Sequence, residues 1–421
     1  MSDNAKKMGF GSIYLLGING IIGSGIFLLP NQIYKTAGNQ GYLIIFLAAL
    51  ATLLITLCYA DMASRTTGDG AAWLYSYNAF GRFPGFEVGF FSWIQGIITI
   101  SAEVAALLNI LMTLVPSFKD PTVYKITGIA IIAVLAGICL LGSGVTSISD
   151  NVSSAIKIVI LVAFIALAAW QISRGSVHIV SDSVKFQPNS AFNTAFYMYS
   201  GFSFLPIAAA NMQNPEKNLP RALISVIVTV GIIYSLVQFS VTRLLGPAIA
   251  NAKSPLATAF SQVFGQTGFV VIIIGMAISI LGVAFSVSFS TPYIAYSLSN
   301  KHKLLPSFLG KDDKRQVPWL AIIVTAVLSA LLFLTGDYIF LVSCVVLISL
   351  IQYIPTALSV MHFQKTKSPG FNVPGGKLIP IVVVLLCVYL ATGVAAKVWL
   401  LIIIMLVIGT AFYMLDDHKQ S

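Results

Sequence analysis

Several of the residues in this 421-residue chain that could bind a small polar molecule lie inside its apolar segments, where polar groups are costly. The first such segment contains Gly17-Ile-Asn-Gly-Ile-Ile-Gly-Ser-Gly-Ile-Phe-Leu-Leu-Pro30. A glycine in a helix interior costs roughly 1 kcal/mol relative to alanine, so Gly23 and Gly25 on either side of Ser24 predict a break. In a bilayer, freed backbone groups are tolerated only where they line a cavity or find partners. The N–H groups of Gly23, Ser24 and Gly25 would open a half-helix and suit a carboxylate, while the unwound carbonyls of Ile21 and Ile22 suit an ammonium. Close packing of small residues is the alternative, because Gly20 and Ser24 are four apart.

A second interrupted segment answers the first. Asn189–Ala210 carries Tyr197, Tyr199, Ser200, Gly201, Ser203 and Pro206. Pro206 has no N–H, so the carbonyl about one turn earlier, near Phe202, loses its helical partner. Gly201 follows Gly23 by 178 residues and stands five apolar segments later in the order. Two interrupted helices at matching positions of two halves point to the central site of a transporter. Carbonyls of Tyr199 and Ser200 join those that suit an ammonium, and the Ser24 and Ser203 hydroxyls suit either a carboxylate or an ammonium, or else bond carbonyls of their own helices. Tyr197, Tyr199 and Phe202 would wall a side-chain pocket or simply pack.

Three ionisable residues fall within apolar segments, and each is a functional hypothesis because inserting a charge is penalised. Asp61 stands at the end of its segment and predicts an ion pair with Arg65 or Arg82. Glu103 lies deep in the third segment, as a proton carrier or the partner of a buried cation. Lys157 follows Asp150 by about two helical turns, roughly 10 Å, which is too deep to snorkel. Its amine would either exchange a proton or serve as a fixed cation between helices.

These residues need helices to carry them, and the composition supplies them. The chain is 57% hydrophobic and 9% charged, outside the range of soluble domains. With about 20 apolar residues per crossing, twelve segments qualify: 10–35, 42–64, 85–116, 122–142, 150–173, 189–212, 219–245, 268–299, 318–335, 338–363, 378–396 and 398–415. The fold class is therefore an all-α membrane protein with twelve transmembrane helices. The first segment continues beyond a signal-peptide core, so no cleavage is expected. Cys58, Cys139, Cys344 and Cys387 all fall in apolar segments without metal spacing and read as packing.

With both termini in the cytoplasm, fifteen lysines and arginines fall on that side and eight on the other, as the positive-inside rule requires. The net charge of +10 then belongs to topology and membrane lipid, with no nucleic-acid partner. No phosphate loop, metalloprotease helix, nucleophile elbow or dinucleotide fingerprint is present, and the four histidines are scattered. Neither an enzyme nor a cofactor or metal site is expected.

Four motifs, in order, carry a resemblance. Gly23-Ser24-Gly25-Ile26-Phe27 resembles the first-helix signature of the amino acid–polyamine–organocation (APC) transporter superfamily. Tyr59-Ala60-Asp61-Met62-Ala63-Ser64-Arg65, with Gly68, Gly70 and Ala79-Phe80-Gly81, is similar to its second-helix exit and following loop. Asn214-Pro215-Glu216-Lys217-Asn218-Leu219-Pro220 resembles its stretch after helix six, and Phe371-Asn372-Val373-Pro374 its stretch after helix ten.

The resemblance implies a leucine-transporter-like five-plus-five inverted repeat, in residues 1–173 and 174–364, with two further helices and a tail in 365–421. It implies a plasma-membrane amino acid permease working by alternating access, with an amino acid as substrate and protons as the coupling partner. Lys157 matches the helix-five lysine of proton-coupled members, whose ammonium takes the place of sodium in sodium-coupled relatives; Glu103 is the second candidate. Ser203 falls where exchangers of dicationic substrates carry an acid, and an unpaired second charge is costly, so a neutral amino acid is expected. An amino acid/amine exchanger and a non-transporting amino-acid sensor remain alternatives.

Overall fold

The computed structural model describes residues 7–66, 71–142, 146–175, 184–300, 303–366, 368 and 370–417. Gly68 and Gly70 of the second-helix motif, Lys6, Lys301, Lys367 and Lys419 of the charge pattern, and His178, His302 and His418 lie outside these residues.

Glycine and proline set where the helices stop. The first span is three pieces, α1 (Phe10–Ile21), α2 (Ser24–Leu28) and α3 (Pro30–Ala37), with Ile22 and Gly23 outside helical geometry between the first two. The second and third spans are α4 (Gly41–Arg65) and α6 (Arg82–Leu111). A helix absent from the sequence expectation, α5 (Ala71–Phe80), lies between them and packs on α6. The fourth and fifth are α7 (Pro121–Leu140) and α8 (Thr146–Ser173).

The sixth span is also interrupted. Helix α9 (Pro188–Tyr197) ends in a turn, Gly201 takes φ +112°, and the chain continues as a 3₁₀ helix over Phe202–Asn211 that contains Pro206. A positive φ suits glycine alone here, because a Cβ on Gly201 would stand 2.2 Å from the Gly20 carbonyl oxygen. The two interrupted spans cross at this point. Helices α10 (Pro215–Leu245), α11 (Pro255–Asn300), α12 (Trp319–Thr335), α13 (Tyr338–Phe363), α14 (Leu378–Thr392) and α15 (Ala396–Asp417) follow.

Twelve spanning segments thus stand among the described residues, and eight helices are by themselves long and apolar enough to cross a bilayer. The eighth is longer than expected, beginning at Pro255 and bending at Gly265, whose φ is 60°. The third ends near Leu111, short of the expected 116. Helix α4 packs on α10, α6 on α11 and α7 on α12. Each pair joins spans five apart, the relation that a five-plus-five repeat produces. Helix α6, which packs on α11 and α13, is the most enclosed of the long spans, whereas α7 and α15 turn most of their apolar surface outward.

Candidate functional site

The break in the first span brings Ser24 against the third. The Ser24 backbone N–H donates to one Glu103 carboxylate oxygen at 3.2 Å, and its hydroxyl donates to the other at 2.9 Å. Tyr338, the first residue of α13, donates its hydroxyl to Ser24 Oγ at 3.0 Å. All three side chains are buried. Gly23 leaves room for this contact, since a Cβ there would lie 3.0 Å from Glu103 Oε1. Hydrogen bonds to an ionised group are worth about 1.5–3 kcal/mol, so the pair holds the half-helix firmly. Glu103 itself therefore occupies donors that the sequence reserves for a ligand carboxylate.

Lys157 is fully buried on the other side of the break. Its ammonium donates to the Asn19 backbone carbonyl at 3.1 Å and to Asn19 Oδ1 at 2.5 Å. Asn19 in turn donates to the Gly282 carbonyl at 3.4 Å, tying α1 to α8 and α11. The unwound carbonyls already have partners: Ile21 accepts from the Tyr234 hydroxyl at 3.1 Å and Ile22 from the Ser279 hydroxyl at 3.3 Å. The Ile21 carbonyl also accepts from the Gly23 N–H at 2.9 Å, which uses both of its lone pairs.

Between the two interrupted spans lies a narrow cavity of ≈ 20 Å³, room for about one water. Gly20, Ile21, Gly23, Gly25, Glu103, Tyr197, Ser200 and Gly201 line it, with Gln95 and Thr99 of α6, Met198, Phe204, and three valines, Val283, Val287 and Val345. Among the described residues the Ser200 hydroxyl is buried without a hydrogen-bond partner. An amino acid would need this space to widen, by movement of the spans around it.

Several expected site residues stand elsewhere. Tyr199 donates to the Ile45 carbonyl at 3.0 Å and packs on Tyr234. Phe202 stacks on Tyr353 and meets Tyr59 edge-on. Ser203 lines a second cavity of ≈ 10 Å³ with Trp73, Ser92, Ile207, Ile294 and Gln352. Phe204 belongs to both cavities and is the wall between them.

Of the residues that the sequence left unnamed, Ser92, Gln95 and Thr99 carry a visible signal. With Glu103 they recur every three or four residues, which puts a polar stripe on one face of an apolar helix. Gln95 donates to Ser349 Oγ at 2.9 Å and accepts from Gln352, both on α13. Tyr234, Ser279 and Tyr338 had no such signal, because single hydroxyls in apolar helices are common. Among the described residues no three His, Cys, Asp or Glu side chains cluster as a metal site, and all four cysteines are buried thiols.

Comparison with known proteins bears on the family and the fold. The family described as "Amino acid permease" matches residues 8–410. The chain is 27% identical to an uncharacterized transporter of Mycobacterium tuberculosis, across 92% of this chain and 87% of that one. It is 25% identical to the methylthioribose transporter of Bacillus subtilis, across 99% and 94%. Similarity to the human cationic amino acid transporter 4 is 27%, across 85% of this chain and 60% of that protein. Among solved structures, MhsT in complex with L-phenylalanine superposes with a TM-score of 0.66 over 91% of this chain and 97% of its own, at 16% identity, and so shares the fold.

Proposed function

Since the chain belongs to the amino acid permease family, we propose that it moves neutral, zwitterionic amino acids across the plasma membrane by alternating access, as a proton-coupled symporter. Residues 1–173 and 174–364 act as the two repeats and 365–421 as two added helices and a tail, with both termini cytoplasmic. The observation that carries the reading is the grip of the Glu103 carboxylate on Ser24. A substrate carboxylate needs the same donors, and two carboxylates in one place repel. Protonating Glu103 removes that repulsion and releases the Ser24 N–H. Substrate and proton then bind together, and ionised Glu103 reclaims Ser24 when they leave.

The remaining polar groups fit a zwitterion. Ser200 lines the cavity, and its unpartnered hydroxyl suits the ammonium. Uncharged Ser203 and Gln352 line the neighbouring cavity, which supports a neutral side chain. Lys157 is the other group able to exchange a proton; its two bonds to Asn19 also suit a fixed cation.

A second reading, an amino acid/amine exchanger, draws on the same Glu103. An amine that lacks a carboxylate needs no vacated Ser24 and meets a buried anion at the cavity wall. The two readings separate in proteoliposomes given a panel of amino acids and amines, with and without an inward proton gradient. Symport predicts that zwitterions accumulate with the gradient and that a protonophore stops it. Flux that instead requires substrate on the far side makes the protein an exchanger. Binding without flux makes it a sensor.

A further inference from the structure

The fourth and eighth spans leave a groove between them on the outer surface. It measures ≈ 490 Å³ and is lined on α7 by residues from Thr127 to Ile138 and on α11 by Leu281 and Phe285. Apart from Thr127, that lining is apolar. The stretch from Thr127 to Ile138 rises roughly 16 Å at 1.5 Å per residue, about the depth of one leaflet of a ~30 Å hydrocarbon core. In length and polarity the groove suits an acyl chain.

What stands at its end selects the lipid. Two residues past Ile138, the Leu140 carbonyl accepts a hydrogen bond from Arg315 Nη2 at 3.1 Å, which fixes the loop before α12 to the end of α7. Lys311, Lys314 and Arg315 of that loop are exposed. Its two carboxylates are engaged nearby. Asp312 accepts from the Tyr296 hydroxyl at 2.8 Å. Asp313 accepts from the Val317 and Arg315 N–H groups and from Arg315 Nε. The Val317 N–H, joined by Arg315, holds the Asp313 carboxyl below its ordinary range. The five residues Lys311–Arg315 keep one net positive charge. Trp319, 39% exposed, opens α12 beside the loop, and a tryptophan at a helix end marks the headgroup level.

We propose that this groove holds one acyl chain of an acidic phospholipid whose phosphate is bound by Lys314 and Arg315. Helix α11 separates this lipid from the central cavity, since Leu281 and Phe285 line the groove while Val283 and Val287 line the cavity. A seated chain therefore backs the helix that walls the substrate space.

Native mass spectrometry tests this on the full chain, delipidated and titrated with equimolar phosphatidylglycerol and phosphatidylcholine. At about 1 kcal/mol per basic residue near the headgroup, the parent should retain one phosphatidylglycerol with a preference of at least about tenfold. Lys314→Gln with Arg315→Gln should bring that preference close to parity, and Lys314→Arg with Arg315→Lys should preserve it. Ala130→Trp, a change on the exposed face of α7 that fills the groove, should lower retention of both lipids. Equal retention of the two lipids by the parent overturns the proposal. So does an undiminished preference in the double glutamine variant, or retention by Ala130→Trp equal to the parent's.

Discussion

Asp61 accepts a hydrogen bond from the backbone N–H of Val373, 312 residues further along the chain, at 2.8 Å. Its other oxygen pairs with Arg65. Arg65 also donates to the Phe363 carbonyl at 3.1 Å, the Thr366 carbonyl at 2.5 Å and Asn372 Oδ1 at 3.3 Å. Beside it, Ser64 Oγ donates to the Phe371 carbonyl and accepts from the Phe371 N–H. The motif that ends the second span and the motif that follows the tenth are therefore two halves of one clasp. The first turn of α10 adjoins it, since a Cβ on Gly370 would lie 1.9 Å from the Glu216 carbonyl oxygen. The clasp is placed to hold this end of the molecule together, and its removal is the test.

Arg65→Ala should loosen that clasp and strand a buried carboxylate, a change on the order of 3 kcal/mol. Cys58 lies fully buried on α4, three residues before Asp61, and serves as a reporter. In a variant keeping only that cysteine, a membrane-permeable maleimide should label it several-fold faster once Arg65 is alanine. Unchanged labelling would mean that the clasp does not hold this end closed.

The first-span break yields a second test. A Cβ on Gly25 would stand 3.2 Å from Met198 Cα, and valine adds two more carbons to that contact. Gly25→Val should push the interrupted spans apart across the cavity and weaken substrate binding more than tenfold, a loss above about 1.4 kcal/mol. The protein should remain folded and extractable. Normal affinity would assign the break to helix packing.

How much of this was legible depended on whether the signal was local. Gly23 and Gly25 around Ser24 announced the first break because glycine is conspicuous in an apolar helix. Gly201 and Pro206 did the same for the sixth span, as did the isolated charges of Glu103 and Lys157. Asp61 was expected to pair with Arg65 or Arg82 and takes Arg65, while Arg82 reaches the Lys303 carbonyl. Long-range pairing was not legible. Nothing in the local sequence joins Glu103 to Ser24 or Asp61 to Val373, which only the packed fold brings together. The winding of the sixth span was not legible either: the segment that carries Ser203 continues from Gly201 as a 3₁₀ helix with three residues per turn. The tighter winding accompanies the placement of Ser203 on the second cavity, with Phe204 between.

That placement sharpens the specificity prediction. Ser203 and Gln352 offer hydrogen bonds but no charge to a side chain that reaches the second cavity. Neutral amino acids should outcompete putrescine, agmatine and arginine by about tenfold or more in a competition uptake assay, because an unpaired buried charge is costly. Tighter binding of a diamine than of any neutral amino acid would overturn this and assign Glu103 to the substrate's cation.

Coupling is decided by two variants read together. Glu103→Gln keeps the shape and an acceptor for Ser24, but it is neutral at every pH. If Glu103 carries the proton, this variant should lose accumulation against a gradient and show a flat pH profile, while exchange of substrate across the membrane continues. Lys157→Arg keeps the positive charge and cannot deprotonate in practice. If Lys157 only pins α8 to Asn19, arginine should retain gradient-driven accumulation with the parent's pH profile, apart from a loss through its greater bulk. Lys157→Ala should then fail in both accumulation and stability, because Asn19 loses its cation. The opposite pattern, with Glu103→Gln accumulating like the parent and Lys157→Arg inert yet folded and able to bind substrate, moves the proton to Lys157. Should both variants accumulate substrate with unaltered pH dependence, neither residue carries it, and the hydrogen bonds between Glu103 and Ser24 serve only to hold the first span closed.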